Sequence, residues 1–214
     1  MNKIKGCIFD LDGVIVDTAK YHYLAWKRLA SELGFDFSEK DNERLKGVSR
    51  MACMEILVEL GGLSLSEEEK YSLADKKNGW YVEYISGMGE DEILPGAKEF
   101  IIKVRNAGIK TALGSASKNA RIILANLKLI ELFDAIIDGN KTSKAKPDPE
   151  VFLLGAQELG LSPQDCVVFE DAKAGIEAAK RAGMRCVGVG TSSELSEADI
   201  IIPGFENIGL EILK

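Results

Sequence analysis

Six short apolar runs set the frame for this chain: Ile4–Phe9, Lys110–Ser115, Ala135–Asp138, Cys166–Glu170, Arg185–Val189 and Ala198–Ile202. Between them lie stretches with helical spacing, Ala97–Ala107, Ala120–Leu127, Pro149–Leu159 and Ala172–Ala182. Strand and helix signals in alternation predict an α/β fold, a doubly wound parallel sheet of Rossmann-like type. Gly108, Gly160 and Gly183 each fall just past a helical stretch, where a stop signal belongs.

One region breaks the alternation. From Thr18 to Gly87 the pattern is helical throughout, with Tyr21, Leu24, Ala25, Leu29 and Leu33 at helical spacing and a second set at Met54, Ile56, Leu57 and Leu60. Seventy residues are too many for a loop inside a compact domain. The expected organisation is a catalytic core of residues 1–17 and 88–214, with a helical cap domain, 18–87, inserted after the first strand. The acidic, glycine-bearing stretch Gly87–Glu92 suits a linker, and Pro95-Gly96 opens the next core helix.

Composition narrows the class. With 46% hydrophobic and 29% charged residues, a chain of 214 residues has what an ordinary soluble globular fold needs. A net charge of −7 argues against a nucleic-acid surface. No apolar run reaches the ~20 residues of a membrane span, and Met1–Lys5 lacks the apolar segment of a signal peptide. Cys7, Cys53, Cys166 and Cys186 are widely spaced and mostly lie in apolar runs, so neither a disulfide framework nor a zinc site is expected. A cytoplasmic monomer is the expectation, with no membrane and no nucleic acid as partner.

The chemistry collects where apolar runs end. Asp10 and Asp12 follow the first run and are followed at once by Gly13. Two carboxylates in extended register face the same side, at the strand end where open α/β sheets bind ligands. Crowded carboxylates call for a cation, a proton or a phosphoryl group, and Mg2+ takes such hard oxygen ligands while leaving room for substrate phosphates. Ser115, Lys146 and the pair Glu170-Asp171 each follow a separate run. Each also has an ordinary reading: Ser115 and Asp171 as helix N-caps, and Lys146 as part of a solvated basic loop, since three lysines fall between Lys141 and Lys146.

Taken together and in this order, these residues resemble the haloacid dehalogenase superfamily of phosphoryl-transfer enzymes, and within it the sugar-phosphate mutases, over nearly the whole chain from Phe9 to about Gly190. The resemblance implies that Asp10 is a nucleophile that becomes an aspartyl phosphate. It makes Asp12 the general acid and base, with its backbone carbonyl, Asp10, Glu170 and Asp171 forming the Mg2+ site. A side-chain metal ligand is the alternative for Asp12. Ser115 and the amide of Ala116 would hold the moving phosphoryl group, and Lys146 would neutralise it.

The same resemblance assigns sugar recognition to Lys46, Gly47, Val48, Ser49 and Arg50 on the cap. Arg50, with Ser117, Lys118 and Asn119 on the core, would hold a second phosphate. Thr18, His22 and Lys77 would tie cap position to Asp12. Structural packing is the alternative for His22, a solvated helix face for Lys77, and cap packing with some exposure to the cleft is expected of Trp26. The loop Gly139–Ala145 is more basic than the mutase pattern.

The implied activity is interconversion of β-D-glucose 1-phosphate and glucose 6-phosphate through an aspartyl-phosphate enzyme and a glucose 1,6-bisphosphate intermediate. Its rivals are a sugar-phosphate or phosphoglycolate phosphatase of the same fold, and a receiver-like phosphorylatable signalling domain.

Overall fold

The computed structural model describes residues 3–45, 48–191 and 193–214. It divides into two compact units, residues 1–17 with 88–214, and residues 18–87. The chain opens with strand β1 (Gly6–Phe9). Helices α1 (Ala19–Glu32), α2 (Glu39–Glu43), α3 (Arg50–Gly61) and α4 (Glu67–Ile85) follow and form the smaller unit. The larger unit resumes with α5 (Ala97–Asn106), β2 (Lys110–Gly114), α6 (Ala120–Asn126) and β3 (Ala135–Ile137). It continues with α7 (Glu150–Leu159), β4 (Cys166–Glu170), α8 (Lys173–Arg181), β5 (Arg185–Val189) and β6 (Ile200–Ile202).

The six strands form one parallel sheet in the order β3-β2-β1-β4-β5-β6. Strand order reverses between β1 and β4, which makes their carboxyl ends the switch point of the sheet. Phe9 pairs with both Leu113 and Phe169, so the chain leaves β1, β2 and β4 at one level. Asp10, Ser115 and Glu170 are thereby delivered to a common edge.

Alternation along the strands builds two apolar layers. On one face Phe9 stacks on Phe169 at 4.7 Å, with Phe100 of α5 edge-on to both and Phe205 beside them. On the other, Ile8, Ala112, Val168 and Cys186 pack with Phe152 of α7 and Ile176 and Ala179 of α8. Burial on both faces explains why these strands read as continuous apolar runs.

The smaller unit is helical, with no strand among its described residues. Ser38 and Ser66 close capping boxes with Asp41 and Glu69, and Ser49 caps α3 by accepting the Ala52 N–H at 3.3 Å. The buried stripe of α1 is Ala25, Trp26, Leu29 and Ala30. Leu24 falls on the opposite side of that helix and is exposed, although its spacing placed it with the core set. The stretch read as a linker is anchored rather than loose, because Glu90 pairs with Lys98 and Lys128. No helix of the described residues is long and apolar enough to cross a membrane.

Candidate active site

β1 stops at Phe9, and the backbone turns through residues 11–15, where Gly13 N–H donates to Val16 O at 2.8 Å. The turn, not a continued strand pleat, places the acids of this segment. Gly13 has φ +74°, and a Cβ there would lie 1.9 Å from Asp171 Oδ2. Only a glycine fits a left-handed turn pressed against that carboxylate. A second glycine serves the neighbouring acid: a Cβ on Gly175 of α8 would lie 1.8 Å from Glu170 Oε1. Neither spatial role is signalled by the sequence around it.

Asp10, Glu170 and Asp171 each offer a carboxylate oxygen, and these oxygens lie within 4.8 Å of one another. Lys146 Nζ donates to Asp10 Oδ1 and Glu170 Oε1, both at 2.6 Å, and its side chain is 9% exposed. The other Glu170 oxygen accepts the Ala172 N–H at 2.9 Å. One lysine cannot balance three carboxylates. Burial raises Asp10, Glu170 and Asp12 add to the rise and Lys146 opposes it, leaving Asp10 at about 7. Burial likewise lifts Asp171 to about 8, with Glu170 and Asp10 as repelling neighbours. Burial opposes the charge of Lys146, yet Asp10 and Glu170 outweigh it and hold the ammonium above its ordinary pKa. A cluster of hard oxygen donors in which Asp10 and Asp171 resist ionisation fits a metal ion. The side chain of Asp12 is outside the set of three but close enough to act on Asp10.

The ordinary readings of these residues do not describe the structure. The N-cap of α8 is Ala172, not Asp171, and the N-cap of α6 is Asn119, not Ser115. Of the basic loop, Lys141 pairs with Glu158 and Lys144 with Asp148 at the surface, while Lys146 alone turns inward. Ser115 is buried, and its Oγ accepts the Ser117 N–H at 3.0 Å. Ala116 and Lys118 are exposed on the same loop, with Ser117 and Asn119 half-buried.

Within the helical unit, Thr18 is buried at the start of α1. Lys77 is 3% exposed, which excludes a solvated helix face. Its Nζ lies 2.9 Å from His22 Nδ1, 4.6 Å from the Trp26 ring and 4.9 Å from that of Tyr81. Burial pulls Lys77 down to about 7, Cys53 opposes it, and Arg50 adds a lesser push downward. Burial, Lys77 and Arg50 hold His22 well below its ordinary value. Trp26 is buried as packing, 2% exposed. Arg50 is held by Asp75 at 3.2 Å and by Asn78 at 2.9 Å. Val48 and Ser49 are exposed. Lys46 and Gly47 lie outside the described residues.

Fold and site together define an α/β protein with a buried acid cluster, able to hold a metal ion, at the switch point of a parallel sheet. The family model for haloacid dehalogenase-like hydrolases matches residues 4–183, and the chain belongs to that family. It is 43% identical over 212 residues to a beta-phosphoglucomutase of Bacillus subtilis, covering 98% of this chain and 94% of that protein. It is 33% identical over 190 residues to a phosphorylated carbohydrates phosphatase of Thermotoga maritima, covering 87% and 85%. Among solved structures it is similar to the beta-phosphoglucomutase of Clostridium difficile, with a TM-score of 0.92 and 44% identity, covering 98% of this chain and 95% of that one.

Proposed function

We propose that the chain is a Mg2+-dependent phosphomutase that interconverts β-D-glucose 1-phosphate and glucose 6-phosphate. The similarity to beta-phosphoglucomutases along almost the full length supports a phosphomutase. The observation that carries the chemistry is Lys146 bridging Asp10 and Glu170 in a buried cluster of three carboxylates.

In this reading Asp10 attacks the phosphoryl group and becomes an aspartyl phosphate, which splits one difficult transfer into two. Asp12 gives its proton to the departing sugar oxygen and later takes one from the attacking hydroxyl. Ser115 and the Ala116 amide receive the phosphoryl oxygens, and Lys146 offsets their charge. Asp10, Glu170, Asp171 and the Asp12 carbonyl would hold the Mg2+, whose charge would screen the Asp10 carboxylate from the incoming phosphate. Arg50, with Ser117, Lys118 and Asn119, is assigned to the second phosphate of a glucose 1,6-bisphosphate intermediate. The helical unit is read as the cap that excludes water, which would otherwise hydrolyse the aspartyl phosphate. Thr18, His22 and Lys77 are its positioning residues.

The test is a phosphorus NMR time course with β-D-glucose 1-phosphate, Mg2+ and a trace of glucose 1,6-bisphosphate. Glucose 6-phosphate is the expected product. Inorganic phosphate as the main product would assign the chain to the phosphatases, the activity named for its Thermotoga relative.

A further inference from the structure

We infer that Gly139 and Asn140, at the head of the loop after β3, are positioning residues that aim the Ser115 hydroxyl at the transferring phosphoryl group. This rests on the phosphoryl-transfer reading above and adds two residues that no motif singles out.

Ser115 has one hydroxyl proton and two acceptor lone pairs. Its Oγ accepts the Ser117 N–H at 3.0 Å. With that acceptor role filled, the O–H proton is left to be donated to an anion. The aim of the hydroxyl therefore depends on where the peptide joining Ala116 to Ser117 lies. That peptide is planar and rigid, so its N–H and its carbonyl move together.

The loop after β3 holds the two peptides that follow this one by hydrogen bonds, and Gly139 packs directly against its carbonyl. Gly139 N–H donates to Ser117 O at 3.1 Å, and Asn140 Nδ2 donates to Lys118 O at 2.9 Å. Asn140 is itself fixed, its own N–H donating at 3.0 Å to the carboxylate of buried Asp138. The approach is close enough to forbid a side chain. A Cβ on Gly139 would lie 2.3 Å from Ala116 O and 3.0 Å from Ala116 C. Those are backbone atoms, so no rotamer change relieves the clash. A substitution must push the Ala116 carbonyl away and tilt the Ser117 N–H with it.

The brace also stands at the head of the segment that delivers Lys146. Further along, Ser143 N–H and Lys144 N–H donate to Glu150 Oε2 at 2.8 and 2.7 Å. The loop carrying Ser115 and the loop carrying Lys146 are thus joined by hydrogen bonds that involve none of Asp10, Glu170 and Asp171.

The experiment compares Gly139→Ala and Asn140→Ala with the parent in three measurements: turnover of a small aryl phosphate, affinity for inorganic phosphate at saturating Mg2+, and affinity for Mg2+ alone. Displacing a reacting group by about 1 Å can cost on the order of a hundredfold in rate. Gly139→Ala is expected to lose about ten- to a hundredfold in turnover and to weaken phosphate binding, with Mg2+ affinity unchanged. Asn140→Ala, which removes one hydrogen bond and adds no clash, should show the same split at smaller size, and it carries the test if Gly139→Ala does not fold. Unchanged turnover and phosphate affinity in Asn140→Ala and in any folded Gly139→Ala overturns the inference. So does a parallel loss of Mg2+ affinity, which would mark general damage. A parent that neither turns over nor binds phosphate overturns the functional reading, and this inference with it.

Discussion

Lys77 lies in a helical unit whose other described lysines meet solvent or carboxylates, as Lys70 does with Glu55 and Lys76 with Glu32. Its neighbours are His22, Trp26, Tyr81, Arg50 and Cys53, and no ion pair to a carboxylate is made by it among the described residues. The folded protein releases the Lys77 proton near 7, whereas the unfolded chain holds it to the ordinary 10.5. Between those values the unfolded state binds more protons, so stability rises with pH across that window. Below about 7 the full penalty is present, and His22, held below its ordinary 6.5, adds a further loss as pH falls. Lys77→Met removes the buried amine and keeps its length. We expect its Tm at pH 7 to exceed the parent's by about 5 °C, with a flatter Tm profile between pH 7 and 10, read by scanning calorimetry. Equal Tm values and slopes would mean that Lys77 carries no such penalty. A buried amine whose proton is released near neutrality marks a candidate functional position.

At the scale of elements, Gly175 sets helix propensity against site geometry. An interior helical glycine replaced by alanine ordinarily gains about 0.5–1 kcal/mol. In α8 the new Cβ would meet Glu170 Oε1, a carboxylate already fixed by Lys146 and the Ala172 N–H. We expect Gly175→Ala to be less stable than the parent and to bind Mg2+ about ten- to a hundredfold more weakly, as supports of metal ligands commonly do. Titration calorimetry with Mg2+ measures it, and a more stable variant of unchanged affinity would show that Glu170 swings aside freely. This is the limit of what the sequence displays. The strands were legible because burial on both faces makes them unbroken apolar runs, and Asp10, Glu170 and Asp171 because acids ending such runs stand out. Gly13, Gly139 and Gly175 were not, because the need for an absent side chain arises from atoms distant in the chain. Lys77 was singled out by the family resemblance alone, since periodicity does not tell a buried lysine from a solvated one. Leu24 read as core for the converse reason: an apolar residue at roughly the right spacing can still miss the stripe.

For the whole molecule, the question is what two units do that one would not. The acid cluster, Ser115 and Lys146 all belong to the unit of residues 1–17 and 88–214. A hydrolase of a simple phosphate ester needs little more than these groups and water. A mutase must in addition hold a second phosphate while the sugar presents each end in turn, and that binding energy orients the reacting end. Arg50 belongs to the other unit, its guanidinium fork set by Asp75 and Asn78. Bound to phosphate, such a fork makes charge-assisted contacts worth about 1.5–3 kcal/mol. We therefore expect Arg50→Ala to lose about ten- to a hundredfold in glucose 6-phosphate formation, while hydrolysis of a small aryl phosphate, which has no second phosphate, falls little. The measurement is the ratio of the two rates in parent and variant. A ratio that does not move would assign Arg50 to its own helical unit and count against the mutase reading. A ratio that collapses would place the specificity of the reaction in the residues inserted after the first strand.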